Sequence, residues 1–320
     1  MSDARDNKVK AADQVAGFSA AEWLGNAGIS FVLGALRLLP YRKRVPLGGW
    51  VVSRLVAPLA GFRKRIRANL ARVCPDLLPS EVEELVVAVP DNLGRSLTEL
   101  FSPEGFLPLA RATAFEGPGL EALEQARAAG RAAILVSGHF GNYDVIRAGM
   151  IARGFDVGGL YRPMNNRYFN TRYVATISRI GQPLFERGRR GMTQMIRHLK
   201  GGGTLAILID QHMGSGAVLT FFGEKAATAL STAELALKYD AVVVPCYAIR
   251  QPDGMSFKAV FEEPVPHTDA MQMTQALNDS LEARVRENMG QWLWSHRRWK
   301  VADRLGDAAN DMTSKDNSIE

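Results

Sequence analysis

Cysteine is nearly missing from this 320-residue chain: Cys74 and Cys246 are its only two. Two thiols give neither a disulfide framework nor a thiolate cage for a metal. Cys246, inside Val242-Val243-Val244-Pro245-Cys246-Tyr247, reads as a small buried apolar side chain. The five histidines, at 139, 198, 212, 267 and 296, show no metal-ligand spacing, so no metal and no other cofactor is expected. His198, at a basic helix end, is expected to face solvent. There is no Gly-x-Ser-x-Gly elbow, which argues against a serine acyl-enzyme. Neither a Walker-type loop nor a dinucleotide fingerprint occurs. The polar, mixed-charge stretch from Met1 to Lys10 does not resemble a cleavable leader. The catalytic part is therefore expected on the cytoplasmic side.

Acidic residues are missing from one long window. Between Trp23 and Pro75 there is no Asp or Glu, while ten basic residues occur: Arg37, Arg42, Lys43, Arg44, Arg54, Arg63, Lys64, Arg65, Arg67 and Arg72. Apolar segments at 29–39 and 50–62 lie among them. Cations beside apolar, Trp-bearing stretches suit an anionic bilayer surface, at roughly 1 kcal/mol per Lys or Arg near it. Nucleic acid ranks below membrane, because no nucleic-acid module is visible. A third reading is a basic helical hairpin packed on the main domain. Residues 23–36 are apolar but shorter than the roughly 20 residues a spanning helix needs, leaving a short or tilted span and an interfacial helix both open.

Hydrophobic content of 47% and charged content of 22% are those of a chain able to bury a sizeable core. The organisation expected is a flexible stretch at 1–16, a basic helical membrane-association segment at 17–75, an α/β domain at 76–302 and a disordered tail at 303–320. Ser80 with Glu83 reads as a capping box opening a helix that Pro90 breaks or kinks. Strands are predicted at 132–137, 157–161, 204–210, 241–249 and 257–261. Helices are predicted at 119–129, 143–153, 167–180, 191–200 and 229–238, with a late one carrying Met273, Leu277, Leu281 and Val285 at i, i+4 spacing. The alternation predicts a mixed, mainly parallel sheet flanked by helices.

In such a sheet, ligands gather at the carboxyl ends of strands. Ser137-Gly138-His139-Phe140-Gly141-Asn142-Tyr143-Asp144 follows a predicted strand and leads into a helix. Asp144 is placed to fold back onto one nitrogen of His139, leaving the other to act as a general base on a hydroxyl. A structural turn is the plainer reading of the same residues. Four other clusters lie at strand ends or in loops. Arg162, in Tyr161-Arg162-Pro163 ahead of Asn165-Asn166, presents a planar fork to a phosphate or carbonyl oxygen, or makes a surface ion pair. Arg187, Arg189 and Arg190 lie among glycines ahead of a helix and suit an anion, or form a solvated turn. Asp210, in Ile209-Asp210-Gln211-His212, organises the site or caps a turn. Trp294-Ser295-His296-Arg297-Arg298-Trp299-Lys300 fits head groups or a polar seam.

Together these blocks resemble the bacterial lipid A biosynthesis acyltransferases, the late lauroyl/myristoyl transferases of the glycerolipid acyltransferase superfamily. His139-x4-Asp144 resembles the superfamily's His-x4-Asp/Glu motif. Tyr161-Arg162-Pro163, Asn166, Arg187 with Gly191-Met192, and Asp210 are similar to the blocks that follow it. The 221–228 stretch Phe-Phe-Gly-Glu-Lys-Ala-Ala-Thr, Val244-Pro245 and His296-Arg297-Arg298 resemble the later ones. The likeness runs from about Phe115 to Lys300. It implies that His139, oriented by Asp144, deprotonates a lipid hydroxyl attacking an acyl thioester. Arg162, or else Arg187, would meet the oxyanion or a phosphate, and Arg189, Arg190, Asp210, His296, Arg297 and Arg298 would hold substrate. The implied partners are acyl carrier protein, a phosphorylated lipid A precursor and an anionic membrane surface, with no nucleic acid. The implied place is the cytoplasmic face of the inner membrane. The same pattern leaves open lysophospholipid or another glycolipid as acceptor, or a non-catalytic lipid-binding envelope protein.

Overall fold

The computed structural model describes residues 19–300; the expected flexible start at 1–16 and tail at 303–320 lie outside them. Helix α1, Ala20–Arg37, is followed by α2, Tyr41–Val51, which runs on through a π-helical turn, Val52–Val56, and a last turn, Ala57–Leu59. After α3, Phe62–Val73, come the long α4, Pro79–Leu100, and α5, Pro103–Ala112. The α/β part then reads β1 (Ala114–Glu116), α6 (Gly119–Ala128), β2 (Ala133–Ser137), α7 (Asp144–Ala152), β3 (Val157–Tyr161) and α8 (Arg167–Ile180). It continues with β4 (Leu184–Glu186), α9 (Arg189–Lys200), β5 (Thr204–Leu208), β6 (Ala217–Phe221), β7 (Glu224–Thr228), α10 (Ser231–Tyr239), β8 (Val242–Arg250), β9 (Phe257–Phe261) and α11 (Ala270–Glu287).

Seven strands form one sheet in the order β1-β9-β8-β2-β5-β3-β4. The five from β8 to β4 are mutually parallel, and only the β8–β9 pairing is antiparallel. The sheet is thus mixed and mainly parallel, as the alternating pattern predicts. Strand β2 shows why both faces are covered. Ala133 and Leu135 enter one cluster with residues of α5, α6 and α7, while Ile134 and Val136 enter another with α9, α10 and α11. A continuous apolar run is what a strand buried on both sides needs.

The short strands β1 and β4 and the hairpin β6–β7 were not among the predicted strands. In the hairpin, Phe222 (φ 55°) and Gly223 (φ 74°) both take left-handed backbone, the conformation of a tight two-residue turn. Glycine accepts it freely, whereas a bulky Phe does not. The Phe222 ring is held there by packing against Trp292, Trp294 and Trp299.

Two features of α4 differ from expectation. Its first turn is capped two residues earlier, with the Leu78 N–H donating to Glu81 Oε2 at 2.7 Å, while Glu83 pairs with Arg67. Pro90 does not end the helix, which runs 22 residues through it. Val89, Pro90 and Asn92 are buried in a helix that packs closely on α2, and that packing outweighs the lost backbone hydrogen bond.

The basic front segment is helical and packs partly as a hairpin on the main domain. Ile66, Leu70 and Val73 of α3 join Val86 and Val89 of α4 in an aromatic-rich cluster with Phe140, Trp292 and Trp294. Several of its cations serve the fold. Arg44 gathers the carbonyls of Leu36, Arg37 and Leu39 at the end of α1. Arg37 donates to Phe101 O at 3.1 Å and Arg63 to Ser53 O at 3.0 Å. Arg42, Lys43, Arg54 and Lys64 remain exposed.

Candidate active site

Strands β2 and β5 are neighbours in register, Ser137 opposite Leu208. Ile209 N–H donates to Ser137 O at 3.1 Å and carries the ladder past the strand ends. Two residues beyond each end, His139 and Asp210 therefore stand side by side at the carboxyl edge of the sheet. Asp210 Oδ1 lies 2.8 Å from His139 Nδ1, and its Oδ2 accepts the His139 backbone N–H at 2.7 Å. Trp292 Nε1–H donates to the same Oδ2 at 2.9 Å. The Asp210 side chain is 4% exposed and that of His139 is 23% exposed.

Burial on its own would push the Asp210 carboxyl up. The His139 charge and the three hydrogen bonds outweigh it and hold the group well below the usual carboxylate range. For His139, burial pushes the imidazole down, and the Asp210 charge and hydrogen bond more than reverse this, leaving it above its ordinary value of 6.5. With a carboxylate on Nδ1, the ring proton belongs there and Nε2 carries the lone pair. The amide nitrogen of Gln211 lies 3.4 Å from Nε2, in place to donate to it.

This corrects the expected role of Asp144. It opens α7 and its carboxylate accepts from Arg147 at 3.4 Å, one turn further on. The turn between the two residues is the reason. Gly141 takes φ +55°, where an added Cβ would run into Ala248 O, and the chain turns there into α7 while the register of β2 with β5 brings Asp210 to the ring. Asp144 shares a cavity with His139 nonetheless. Burial raises its pKa against the lowering effect of Arg147.

The cavity, of about 70 Å³, is lined by Val89, Leu93, Leu97 and Leu100 of α4, together with His139 and Trp292 among others. The α4 wall is largely apolar, with Asn92 and Ser96 among its leucines, and the other wall carries the imidazole. Leu97 is itself exposed, so the slot reaches the surface along α4.

Other expected site residues divide into three groups. Arg162 and Arg187 are exposed at the carboxyl ends of β3 and β4, tied together by Arg187 N–H donating to Tyr161 O at 2.8 Å. Arg162 donates to Asn165 Oδ1 at 3.2 Å, and Arg187 Nη2 lies 3.7 Å from Met213 Sδ. Arg189 and Arg190 are exposed in the first turn of α9, which has no acidic residue there. His296 lies behind the Asp210 loop, its Nε2 accepting the His212 N–H at 3.3 Å, and burial lowers its pKa. Arg297 is exposed.

Arg298 is a correction: it is fully buried and donates to Ala227 O at 2.8 Å and Thr228 Oγ1 at 2.6 Å. Burial pushes its pKa down to about 10. It pins strand β7 and does not face substrate. His198 is a second correction. Its Nε2 lies 3.1 Å from both Asp156 O and Thr204 O, and its ring packs on Phe185, so it joins a helix to strand ends and is not turned to solvent.

Sequence reasoning passed over Trp292, Gln211 as a neighbour of Nε2, and the pair Glu99–Arg250 described below. Trp292 lies two residues before the aromatic–basic block, and only its place in the fold connects it with Asp210.

An imidazole backed by a buried carboxylate, at the carboxyl edge of a mainly parallel α/β sheet and opening on a largely apolar slot, is an arrangement able to take a proton from a hydroxyl group. The chain belongs to the bacterial lipid A biosynthesis acyltransferase family, whose model matches residues 16–301. It is 28% identical over 292 residues to a lipid A biosynthesis palmitoleoyltransferase of Escherichia coli, covering 85% of this chain and 90% of that protein. A lipid A biosynthesis acyltransferase of Haemophilus influenzae is 23% identical over 279 residues, with 85% of each chain covered. A phosphatidylinositol mannoside acyltransferase of Mycobacterium tuberculosis is 23% identical over 245 residues, covering 75% of this chain and 78% of that one.

Proposed function

We propose that this acyltransferase moves a fatty acyl chain from acyl carrier protein to a hydroxyl of a phosphorylated lipid A precursor, with His139 as general base. The observation that carries the chemistry is the 2.8 Å contact between Asp210 and His139 Nδ1, which leaves Nε2 as the basic nitrogen at the apolar slot. Nε2 takes the proton of the acceptor hydroxyl as its oxygen bonds to the thioester carbonyl carbon. The resulting imidazolium is stabilised by Asp210, and its proton passes to the thiolate expelled when the tetrahedral intermediate collapses. A thiolate leaves readily, so direct transfer suffices.

Arg162 and Arg187, at neighbouring strand ends on the same edge, are suited to the oxyanion or to acceptor phosphates. Arg189 and Arg190 start a helix with the sign of charge that its macrodipole disfavours, a situation that an anionic partner relieves. Phosphate of the acceptor and the acidic surface of acyl carrier protein both answer that need.

Attachment to the inner membrane, with this edge on the cytoplasmic side, is part of the proposal. Among the described residues, eleven of the nineteen exposed large hydrophobic side chains lie between Trp23 and Leu59, including Phe31, Leu38, Trp50 and Leu59. The exposed cations Arg42, Lys43, Arg54 and Lys64 occur among them. Among the described residues no single helix is long and apolar enough to cross a membrane; one bent pair, Tyr41–Leu59 with Phe62–Val73, passes on length and composition at an 85° bend. Insertion of an apolar face into the interface, with cations over anionic head groups, fits these residues.

A second reading keeps the chemistry and changes the acceptor to another glycolipid, favoured by the similarity to a mannoside acyltransferase. Mass spectrometry of lipid A from cells with and without the protein, and with His139→Ala, decides between them. One acyl chain lost from lipid A in both mutant strains is the expected result. Unchanged lipid A, with transfer by the purified protein only to a different acceptor, would replace the first reading by the second.

A further inference from the structure

Behind the turn that carries His139 lies a charged pair that the acyl-transfer chemistry leaves unused. Glu99 of α4 is 0% exposed and Arg250, at the end of β8, is 6% exposed. They meet fork to fork, Arg250 Nη1 to Oε1 at 2.5 Å and Nη2 to Oε2 at 2.7 Å. The guanidinium is otherwise fully committed, donating to Asn92 Oδ1 at 2.9 Å, Ser96 Oγ at 3.2 Å and Gly254 O at 3.1 Å. A buried ion pair adds little net stability over apolar side chains of the same volume. What it does provide is direction, because a planar fork satisfied on every side has one orientation.

That direction is passed to the catalytic turn. Glu99 Oε2 accepts Asn142 Nδ2–H at 2.8 Å, and Asn142 Oδ1 in turn accepts the Asp144 N–H at 3.2 Å. Gly141 O accepts from Ser96 Oγ at 2.9 Å and from Asn92 Nδ2 at 3.3 Å, the same two side chains that Arg250 holds. From the other side, Gly141 N–H donates to Gln291 O at 2.9 Å and Leu293 N–H to His139 O at 3.1 Å. The Gln291 side chain itself closes on the Arg250 backbone, at 2.8 and 2.9 Å. Residues 139–144 are thus held from α4, from β8 and from the segment after α11, and the ion pair lies where those elements meet.

We propose that Glu99 and Arg250 are positioning residues which, through Asn142 and Gly141, set the height and tilt of His139 against Asp210. The proposal rests on the general-base reading of His139. If the turn drifts, the Nδ1 contact lengthens while the ring stays partly buried. The imidazole then loses the influence that raises its pKa and keeps the one that lowers it.

The test uses the full chain, purified in detergent, with lauroyl-acyl carrier protein and a Kdo-bearing lipid A precursor. Asn142→Ala cuts the link and leaves the ion pair intact. Arg250→Lys keeps the charge and abolishes the fork. The double variant Glu99→Gln/Arg250→Gln removes both charges together, so no lone ion is left buried. Each is expected to fold, to lose about 10- to 100-fold in kcat with KM little changed, and to move the acid limb of its kcat/KM profile to lower pH. A purely structural pair would lower the melting temperature and leave kcat per folded enzyme and the acid limb where they were, and that result overturns the proposal. If the double variant or Arg250→Lys does not fold, Asn142→Ala decides alone. His139→Ala is the reference: full activity there sinks the general-base reading itself. An inactive His139→Ala beside a fully active, unshifted Asn142→Ala overturns only the positioning role.

Discussion

At the scale of single residues, chemistry and scaffolding are separable by what each side chain touches. His139→Ala removes the proposed base, and acyl transfer is expected to fall about 10²- to 10⁴-fold; a turnover assay showing a smaller loss would mean that the hydroxyl is activated by another group. The pair His139–Asp210 also predicts a pH signature. Under the proposed mechanism activity needs an unprotonated Nε2, so it is expected to decline as pH falls through the raised His139 pKa. Asp210→Asn takes away the raising charge while burial still lowers the pKa, so the acid limb should shift to lower pH as the rate drops. Asp144→Asn, whatever it does to the rate, should leave that limb in place, because the Asp144 carboxylate is paired with Arg147 and not with the imidazole. A kcat/KM profile of both variants against pH checks this, and equal shifts would reinstate Asp144 as the partner. Stability runs differently. The depressed Asp210 stabilises the fold above the usual carboxylate pKa and loses that contribution as pH falls through its own low value. The raised His139 stabilises below the usual imidazole pKa and stops doing so as pH rises past its own. Arg298 belongs wholly to the scaffold. Arg298→Met removes two buried hydrogen bonds, while Ala227 O keeps the Met213 N–H and Thr228 Oγ1 keeps Asn278 Nδ2–H, so a cost of about 1 kcal/mol per lost bond is expected, measurable by denaturant melting without any shift of the acid limb.

Among the elements, α4 does most to join the front segment to the site. One face contacts α2 through glycines, another lines the apolar slot with Leu93 and Leu97, and a third brings Glu99 under the catalytic turn. The α2 crossing is close because Gly48, Gly49 and Gly94 have no side chains. A Cβ at Gly94 would lie 2.5 Å from Gly48 O and 2.9 Å from Gly49 Cα, both backbone atoms. Gly94→Ala is therefore expected to force the helices apart at a cost of about 1–3 kcal/mol. Thermal melting reads the loss, and an unchanged midpoint would show that the crossing adjusts freely. Because α4 also walls the slot, acyl transfer by this variant should fall further than Arg298→Met at equal loss of stability.

At the scale of the whole molecule, the proposed membrane attachment rests on one part of the surface. Exposed apolar side chains collect on α1 and α2, together with Arg42, Lys43, Arg54 and Lys64. Each of these cations is worth roughly 1 kcal/mol near an anionic surface, about a fivefold change in partitioning. Reversing all four to Glu should therefore release the protein from vesicles containing anionic lipid, and raised salt should weaken binding of the unmodified chain. Sedimentation with vesicles measures both. Binding insensitive to salt and to the four reversals would show that apolar insertion alone holds the protein.

Periodicity and strand-end chemistry in the sequence determined the sheet class, its five longer strands and the block at 137–144, because each depends on residues near one another in the chain. Ordered short motifs likewise singled out Asp210 at the strand end that the structure sets beside His139. Which carboxylate serves His139 was decided only by tertiary structure. Asp144 is five residues away and Asp210 seventy-one, yet the register of β2 with β5 brings the distant one to the ring and the turn at Gly141 leads the near one to Arg147. Burial of Arg298, the inward turn of His198, and the convergence of Glu99, Asn142 and Arg250 were decided in the same way. In each case the partners lie on different elements, and only packing sets the distance between them.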